Sequence, residues 1–168
     1  MQAMILNKIS SLKTNRQPLE RVDIPVPKPK SNEVLIKVSV CGVCHTELDE
    51  IEGRASPPKL PVVPGHQVVG PVVKLGSDTV NLKLGDRVGV AWIFSACGIC
   101  KFCIEGNENL CNEFRATGRD VNGGYAEYMV APEKYVHCIP QVFTDDEAAP
   151  LLCAGAIGYR SIKLAHLR

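Results

Sequence analysis

Short apolar runs punctuated by glycine and proline fill the first three quarters of the chain. Residues 33–40 (Glu-Val-Leu-Ile-Lys-Val-Ser-Val) are rich in β-branched side chains and end at Cys41-Gly42, the pattern of a strand. Residues 67–75 predict a second strand, bent by Gly70 and Pro71. Residues 86–91, 125–130 and 134–138 predict three more. Pro25, Pro27 and Pro29 break any early helix. The pattern changes at Thr144. Thr144-Asp145-Asp146-Glu147 has the form of a capping box, so a helix opens there. Pro150 is expected to interrupt its first turn. Residues 151–167, rich in Ala and Leu, predict a helix that runs to Arg168 with no cap and no following loop, which suggests a chain cut short.

Composition narrows the class. The 168 residues suffice for one domain with a proper core, and 45% of them are hydrophobic. Net charge is +1 without basic or acidic blocks, so nucleic acid and anionic membrane are poor partners. No apolar run reaches the ~18 residues of a membrane span, and the N-terminus lacks a signal-peptide pattern. The expected location is the cytoplasm.

The eight cysteines carry the chemistry. Four disulfides are one use for them, but such scaffolds are secreted and poor in core. Cys97, Cys100, Cys103 and Cys111 follow C-x2-C-x2-C-x7-C, a spacing that lets four thiolates close a tetrahedral zinc site. A closed shell holds a loop and leaves no position for a substrate. Outside the quartet, Cys44, His66 and Cys153 also have metal character. Cys44 opens a helical turn, His66 follows Pro64-Gly65, and Cys153 sits near a helix start. Spacing alone leaves open whether they meet or are three unrelated buried residues.

Five further segments carry a resemblance. They are Cys41-Gly42-Val43-Cys44-His45-Thr46, Gly65-His66-Gln67-Val68-Val69-Gly70, Leu84-Gly85-Asp86-Arg87-Val88, Asn122-Gly123-Gly124-Tyr125-Ala126-Glu127-Tyr128 and Leu151-Leu152-Cys153-Ala154-Gly155. In this order, with the cysteine lobe, the chain resembles the N-terminal catalytic domain of the zinc-dependent medium-chain alcohol dehydrogenases. The resemblance covers nearly the whole chain. It implies a mainly β, GroES-like distorted barrel with a zinc lobe over residues 1–150. Residues 151–168 would begin a helix leading to a nucleotide-binding domain that is missing here. It makes Cys44, His66 and Cys153 the ligands of a catalytic zinc, a Cys2His set for which alcohol dehydrogenase is the standard example. The quartet then holds a second, structural zinc. Cys41 and Cys138 are left over and read as small buried hydrophobes.

The implied reaction is reversible oxidation of a small alcohol to an aldehyde or ketone, with hydride passing to NAD or NADP. Thr46 would accept the alcohol proton and also meet the cofactor; on its residue type alone it is equally a helix-start threonine bonding backbone. Glu47 would hold the ring of the histidine ligand, or else be exposed. His45 would meet the cofactor diphosphate, or be a plain surface histidine. Trp92 would line the alcohol pocket, or be core. Three positions depart from the family pattern. Gln67 replaces a glutamate beside the histidine ligand, Asp49 replaces the histidine that ends the proton relay, and Ile157 replaces a threonine at the nicotinamide. Asp49 is a weak base near neutral pH, so its relay part should be small. No G-x-G-x-x-G within a βαβ unit is present, so the chain by itself should bind zinc and turn over little. The family's full-length members imply a homo-oligomer, dimer or tetramer. Two other readings stand: a polyol- or formaldehyde-type relative, and a non-catalytic zinc-stabilised binding module.

Overall fold

The computed structural model describes residues 1–166; Leu167 and Arg168, the end of the expected C-terminal helix, lie outside it. In chain order the elements are β1 (Gln2–Leu6), β2 (Leu19–Asp23), β3 (Glu33–Lys37), β4 (Val40–Cys41), α1 (His45–Glu52), β5 (Val68–Leu75), β6 (Arg87–Val90) and β7 (Ile93–Ser95). They continue with α2 (Lys101–Ile104), a 3-10 turn (Glu108–Leu110), β8 (Arg115–Ala116), β9 (Tyr128–Pro132), a second 3-10 turn (Glu133–Tyr135) and β10 (Val136–Cys138). The chain ends in α3 (Asp145–Pro150), a π-helical segment (Leu151–Gly155) and α4 (Ala156–Leu164). The fold is mainly β with short helices. Among the described residues, no helix is long and apolar enough to cross a membrane.

An antiparallel sheet in the order β10-β6-β5-β3-β9, with β4 added against β5, forms the body. The β-branched run of β3 explains its place between β5 and β9: Val34, Leu35 and Ile36 are buried on both faces. Val34 and Ile36 join Val68, Val72, Val88, Val90, Phe94 and Met129 in one core. Each such side chain contributes about 1.5–3 kcal/mol on full burial. The expected bend in β5 is a β-bulge at Val73, two residues after Pro71.

Four strands escape the sequence pattern. β1 and β2 pair with each other, and β7 pairs with the two-residue β8. The strand expected over 125–130 is observed as β9, Tyr128–Pro132; ahead of it residues 123–125 bond back to residues 63–65, where Gly123 and Gly124 N–H donate to Val63 and Gly65 O, and Tyr125 N–H donates to Pro64 O, at 2.7–3.0 Å. Lys134 and Tyr135 belong to a 3-10 turn rather than to β10.

Thr144 caps α3 as expected, its hydroxyl accepting from Glu147 N–H at 3.4 Å. Pro150 does not break the helix. Its backbone stays helical (φ −63°), and the chain widens into the π segment directly after it. Such widening accommodates a residue without an N–H donor. Cys153 therefore lies in the middle of a continuous helical run, not near a helix start. That run ends at Leu164, before the expected 167. His166 takes a left-handed conformation (φ 51°), the usual way a helix terminates. Ala148 and Ala149 pack on Val69 with Leu152 beside them, which docks the helix on the sheet. Gly89 in β6 permits that approach: a Cβ there would lie 2.9 Å from the Leu152 methyls.

Candidate metal centres and the cavity between them

The 97–111 loop folds its four cysteines around a point. Cys100 is the N-cap of α2, Cys103 lies in α2, and Cys111 follows the 3-10 turn. Their four sulfurs all lie within 4.8 Å of one another. Cys97 and Cys103 Sγ are 3.8 Å apart, and Cys100 and Cys103 Sγ are 3.6 Å apart. A disulfide would need about 2.05 Å. Zinc–sulfur bonds of about 2.3 Å at the tetrahedral angle place sulfurs about 3.8 Å apart. The spacing fits the metal and not the disulfide. Backbone N–H groups point at the sulfurs: Cys97 to Cys111 at 3.4 Å, Cys100 to Cys97 at 3.4 Å, and Glu113 to Cys111 at 3.3 Å. The N–H groups of Ile99 and Cys100 draw the Cys97 thiol down to about 7, which favours the ligating thiolate.

The second cluster is assembled from three distant elements. Cys44 is the N-cap of α1, with extended backbone (φ −121°, ψ 163°). His66 enters β5 behind Gly65, whose φ of +98° favours glycine; a Cβ there would also lie 2.6 Å from the Tyr125 ring. Cys153 comes from the π segment. Their ligand atoms lie within 4.8 Å of one another, and Cys44 and Cys153 Sγ are 3.7 Å apart. His66 is 1% exposed, and its Nε2 has no partner among the described residues. A buried ring nitrogen without a partner, beside two sulfurs at tetrahedral spacing, suits a zinc with three protein ligands. Burial and the neighbouring Cys44 thiol push the Cys153 thiol up, while Gln67 pulls it down.

Glu47 ties the cluster together. It is 2% exposed. Its Oε2 accepts from the Cys44 N–H at 2.7 Å, and its Oε1 lies 2.7 Å from His66 Nδ1. The second is a close contact between a buried carboxylate and a buried ring nitrogen. One carboxylate thus holds the backbone of one ligand and the ring of another. This leaves Nε2 as the free ring nitrogen.

Beside the cluster is a largely apolar cavity of about 360 Å³ lined by Thr46, His66, Trp92, Leu152, Cys153 and Ile157 among others. Trp92 meets the His66 ring edge-on, centroids 4.9 Å apart. Thr46 Oγ1 is 3.6 Å from Cys44 Sγ. Thr46 and Trp92 therefore come to the cavity with the three ligands. His45 and Asp49 do not line it. His45 is exposed and 3.3 Å from Asp49. Asp49 is held by Arg54 Nε at 2.5 Å, which draws its carboxyl below the ordinary value. Gln67 is buried, its amide toward Cys153. Of the leftover cysteines, Cys41 is half-buried and its thiol is pushed up to about 12 by burial. Cys138 is exposed, contrary to the expected burial, because β10 ends the sheet.

The sequence reading missed Glu50. It is fully buried, neither carboxylate oxygen has a partner among the described residues, and burial with the nearby Glu47 charge pushes it up to about 8. Its signal was present: Glu47, Glu50 and Ile51 stand at i, i+3 and i+4, one face of α1.

Comparison with known proteins agrees with this layout. Residues 30–141 match the model of the alcohol dehydrogenase GroES-like domain. The chain is 48% identical over 150 residues to "Probable alcohol dehydrogenase AdhA" of Mycobacterium tuberculosis, covering 86% of this chain and 43% of that protein. It is 42% identical over 169 residues to an alcohol dehydrogenase of Geobacillus stearothermophilus, covering 100% and 48%. Among solved structures, a cinnamyl alcohol dehydrogenase from Sorghum bicolor superposes with a TM-score of 0.85 at 30% identity, covering 98% and 48%. A structure titled NAD-dependent alcohol dehydrogenase gives 0.83 at 31%, covering 90% and 43%. An enzyme from Helicobacter pylori complexed with NADP(H) gives 0.83 at 25%, covering 98% and 48%. The chain spans about half the length of the curated relatives it matches. The chain belongs to the alcohol dehydrogenase family, and what it carries is that family's GroES-like domain.

Proposed function

We propose that this chain supplies the catalytic domain, residues 1–150, of a zinc-dependent dehydrogenase that oxidises a small alcohol and passes hydride to NAD or NADP. The observation that supports it most is the Cys44–His66–Cys153 cluster opening on an apolar cavity. Zinc held there would act as a Lewis acid toward an alcohol oxygen and lower its proton affinity. Cys44 and Cys153 would supply thiolates, and His66 its Nε2. Glu47 fixes the His66 ring and the Cys44 backbone, so the ligands meet the metal already oriented. The Thr46 hydroxyl both accepts and donates, so it takes the alcohol proton and passes it on. Its route leads to water, with His45 beside it, because Asp49 is engaged by Arg54. Trp92, Leu152 and Ile157 exclude water from the reacting carbon.

Residues 151–168 lead, in this reading, toward a nucleotide-binding domain that presents the nicotinamide. His45 and Thr46 would meet that cofactor, and Ile157 would offer it an apolar contact in place of a hydrogen bond. The similar structures include one named NAD-dependent and one holding NADP(H), so both cofactors fit the fold. The full-length protein would be a cytoplasmic homo-oligomer. Zinc content tests the reading. Two zincs per chain, with one lost in Cys153→Ser, support the enzyme. A single zinc held by the quartet supports a zinc-stabilised binding module instead.

A further inference from the structure

We propose that Arg119 is a positioning residue that clamps Trp92 as a fixed wall of the alcohol cavity and so sets how wide a substrate the site admits. Arg119 does not line the cavity; it acts through the ring. Its guanidinium lies over the Trp92 face, 5.7 Å from the centroid, while the Trp92 ring meets His66 edge-on. A cation over the indole face is attracted by the ring's negative potential, more so when partly desolvated, and the Arg119 side chain is only 30% exposed.

The clamp has a built base. Asp120 holds Arg119 through Oδ2 at 2.9 Å and Oδ1 at 3.3 Å. Asp120 Oδ2 also accepts from the Ala116 N–H at 2.6 Å, and Ala116 in β8 pairs with Ile93, the neighbour of Trp92. The same segment pins the backbone under the ring: Thr117 N–H donates to Trp92 O at 2.9 Å, and the Thr117 hydroxyl donates to Ala91 O at 2.8 Å. The fully buried Glu50 carboxyl lies within electrostatic range of the guanidinium. Residues 116–120 thus fix both the main chain and the ring of one cavity residue. A surface ion pair between Arg119 and Asp120 would need neither.

Trp92 is the sole tryptophan of the chain, so its fluorescence reports the ring directly. The experiment measures acrylamide quenching and anisotropy in the 168-residue chain loaded with zinc. Arg119→Met keeps side-chain length without charge, and Arg119→Lys keeps charge without the planar face. The expected result is a quenching constant about twofold or more higher in Arg119→Met, lower anisotropy, and intermediate values in Arg119→Lys. Wild-type quenching and anisotropy in a folded Arg119→Met would overturn the clamp. Should that variant fail to fold, Asp120→Asn removes the brace and must raise quenching in the same direction; unchanged quenching there overturns it equally. The selectivity part rests on the function proposed above. In the full-length protein, Arg119→Met should shift the ratio of kcat/KM between branched and linear alcohols by about two- to fivefold, and an unchanged ratio overturns that part. If the wild-type protein oxidises no alcohol, the proposed function and the selectivity it would govern both fall, while the quenching result still decides the clamp.

Discussion

The two cysteine clusters, each able to hold a metal ion, are built in opposite ways. The quartet draws all its ligands from residues 97–111, and the loop wraps its own backbone N–H groups around the sulfurs. The trio draws on residue 44, residue 66 and residue 153, held by a helix N-terminus, a strand entry and a π segment. A site made by one loop loses its shape when the metal leaves. A site made by three elements packed on one another keeps its shape, and in the function proposed above its three ligands would leave a fourth position for a substrate. The first depends on its own loop; the second is held by the fold.

The sharpest way to break this comparison is to remove one sulfur from each cluster. Cys153→Ser should release one of two zincs, leave the melting temperature nearly unchanged, and lower alcohol oxidation in the full-length protein by about a thousandfold or more, several kcal/mol of lost charge stabilisation. Cys103→Ser should leave the trio's zinc in place and weaken the lobe. Hydrogen exchange after mild chelation should rise first across residues 97–111 and leave the β3–β5–β9 amides protected. Global unfolding on chelation, or an inactive but fully folded Cys103→Ser, would erase the distinction.

The next largest effect belongs to Glu47. Its carboxylate touches two of the trio's residues and none of the quartet. Glu47→Ala should weaken zinc at the trio by about 10–100-fold, as loss of a ligand-orienting partner does. It also removes the bond to the Cys44 N–H at the start of α1, a capping loss of about 1 kcal/mol. Titrating the variant with a competing chelator should show one weakened and one unchanged zinc. Two equally weakened zincs would mean that Glu47 acts on general stability.

What the residue pattern disclosed follows the same division. The quartet is legible because its geometry is local: the spacing of Cys97, Cys100, Cys103 and Cys111 encodes the loop. The trio is not local, and only the family resemblance picked out Cys44 over Cys41. The structure supplies the reason, since the Cys41 thiol packs among Gly65 and Gly124 while Cys44 faces Cys153. The strands with β-branched runs were legible, whereas β8 has two residues and β2 has its polar side chains exposed, so neither carries a periodicity. Pro150 misled because a local rule was overridden: packing of Ala148 and Ala149 on Val69 keeps the helix on course. Glu50 shares the α1 face of Glu47 and Ile51, a pattern present in the residues, but its burial without a partner arises only once α1 is docked.

Glu50 gives the third test, at the buried rear of the trio. Its folded value of about 8 stands above the ordinary 4.5, from burial first and the Glu47 charge second. Between those values the folded protein binds more protons than the unfolded chain, so stability falls as pH rises through this window. The slope from this group is at most about 1.4 kcal/mol per pH unit. Glu50→Gln should flatten the fall in melting temperature between about pH 5 and 8, with no change below pH 4.5. A variant whose melting profile keeps the wild-type slope would show that Glu50 is ionised in the folded protein.

The smallest effect is expected at Asp49, although it stands where the family's relay would end. Two observations remove it from the chemistry. It does not line the cavity, and Arg54 occupies its Oδ1 at 2.5 Å. Arg54 first, and His45 after it, hold the carboxyl below its ordinary value, so it stays ionised throughout the neutral range and has little affinity for a passing proton. Asp49→Asn should therefore change the rate of alcohol oxidation at pH 7 by less than about threefold, with the pH–rate profile keeping its shape. Arg54→Ala separates the two causes. It frees Asp49 without altering the trio, so a rate that then becomes sensitive to Asp49→Asn would show that the ion pair, and not the position, silences this residue. A hundredfold loss in Asp49→Asn alone would restore it to the relay and move the boundary between the acting cluster and its scaffold outward by one turn of α1.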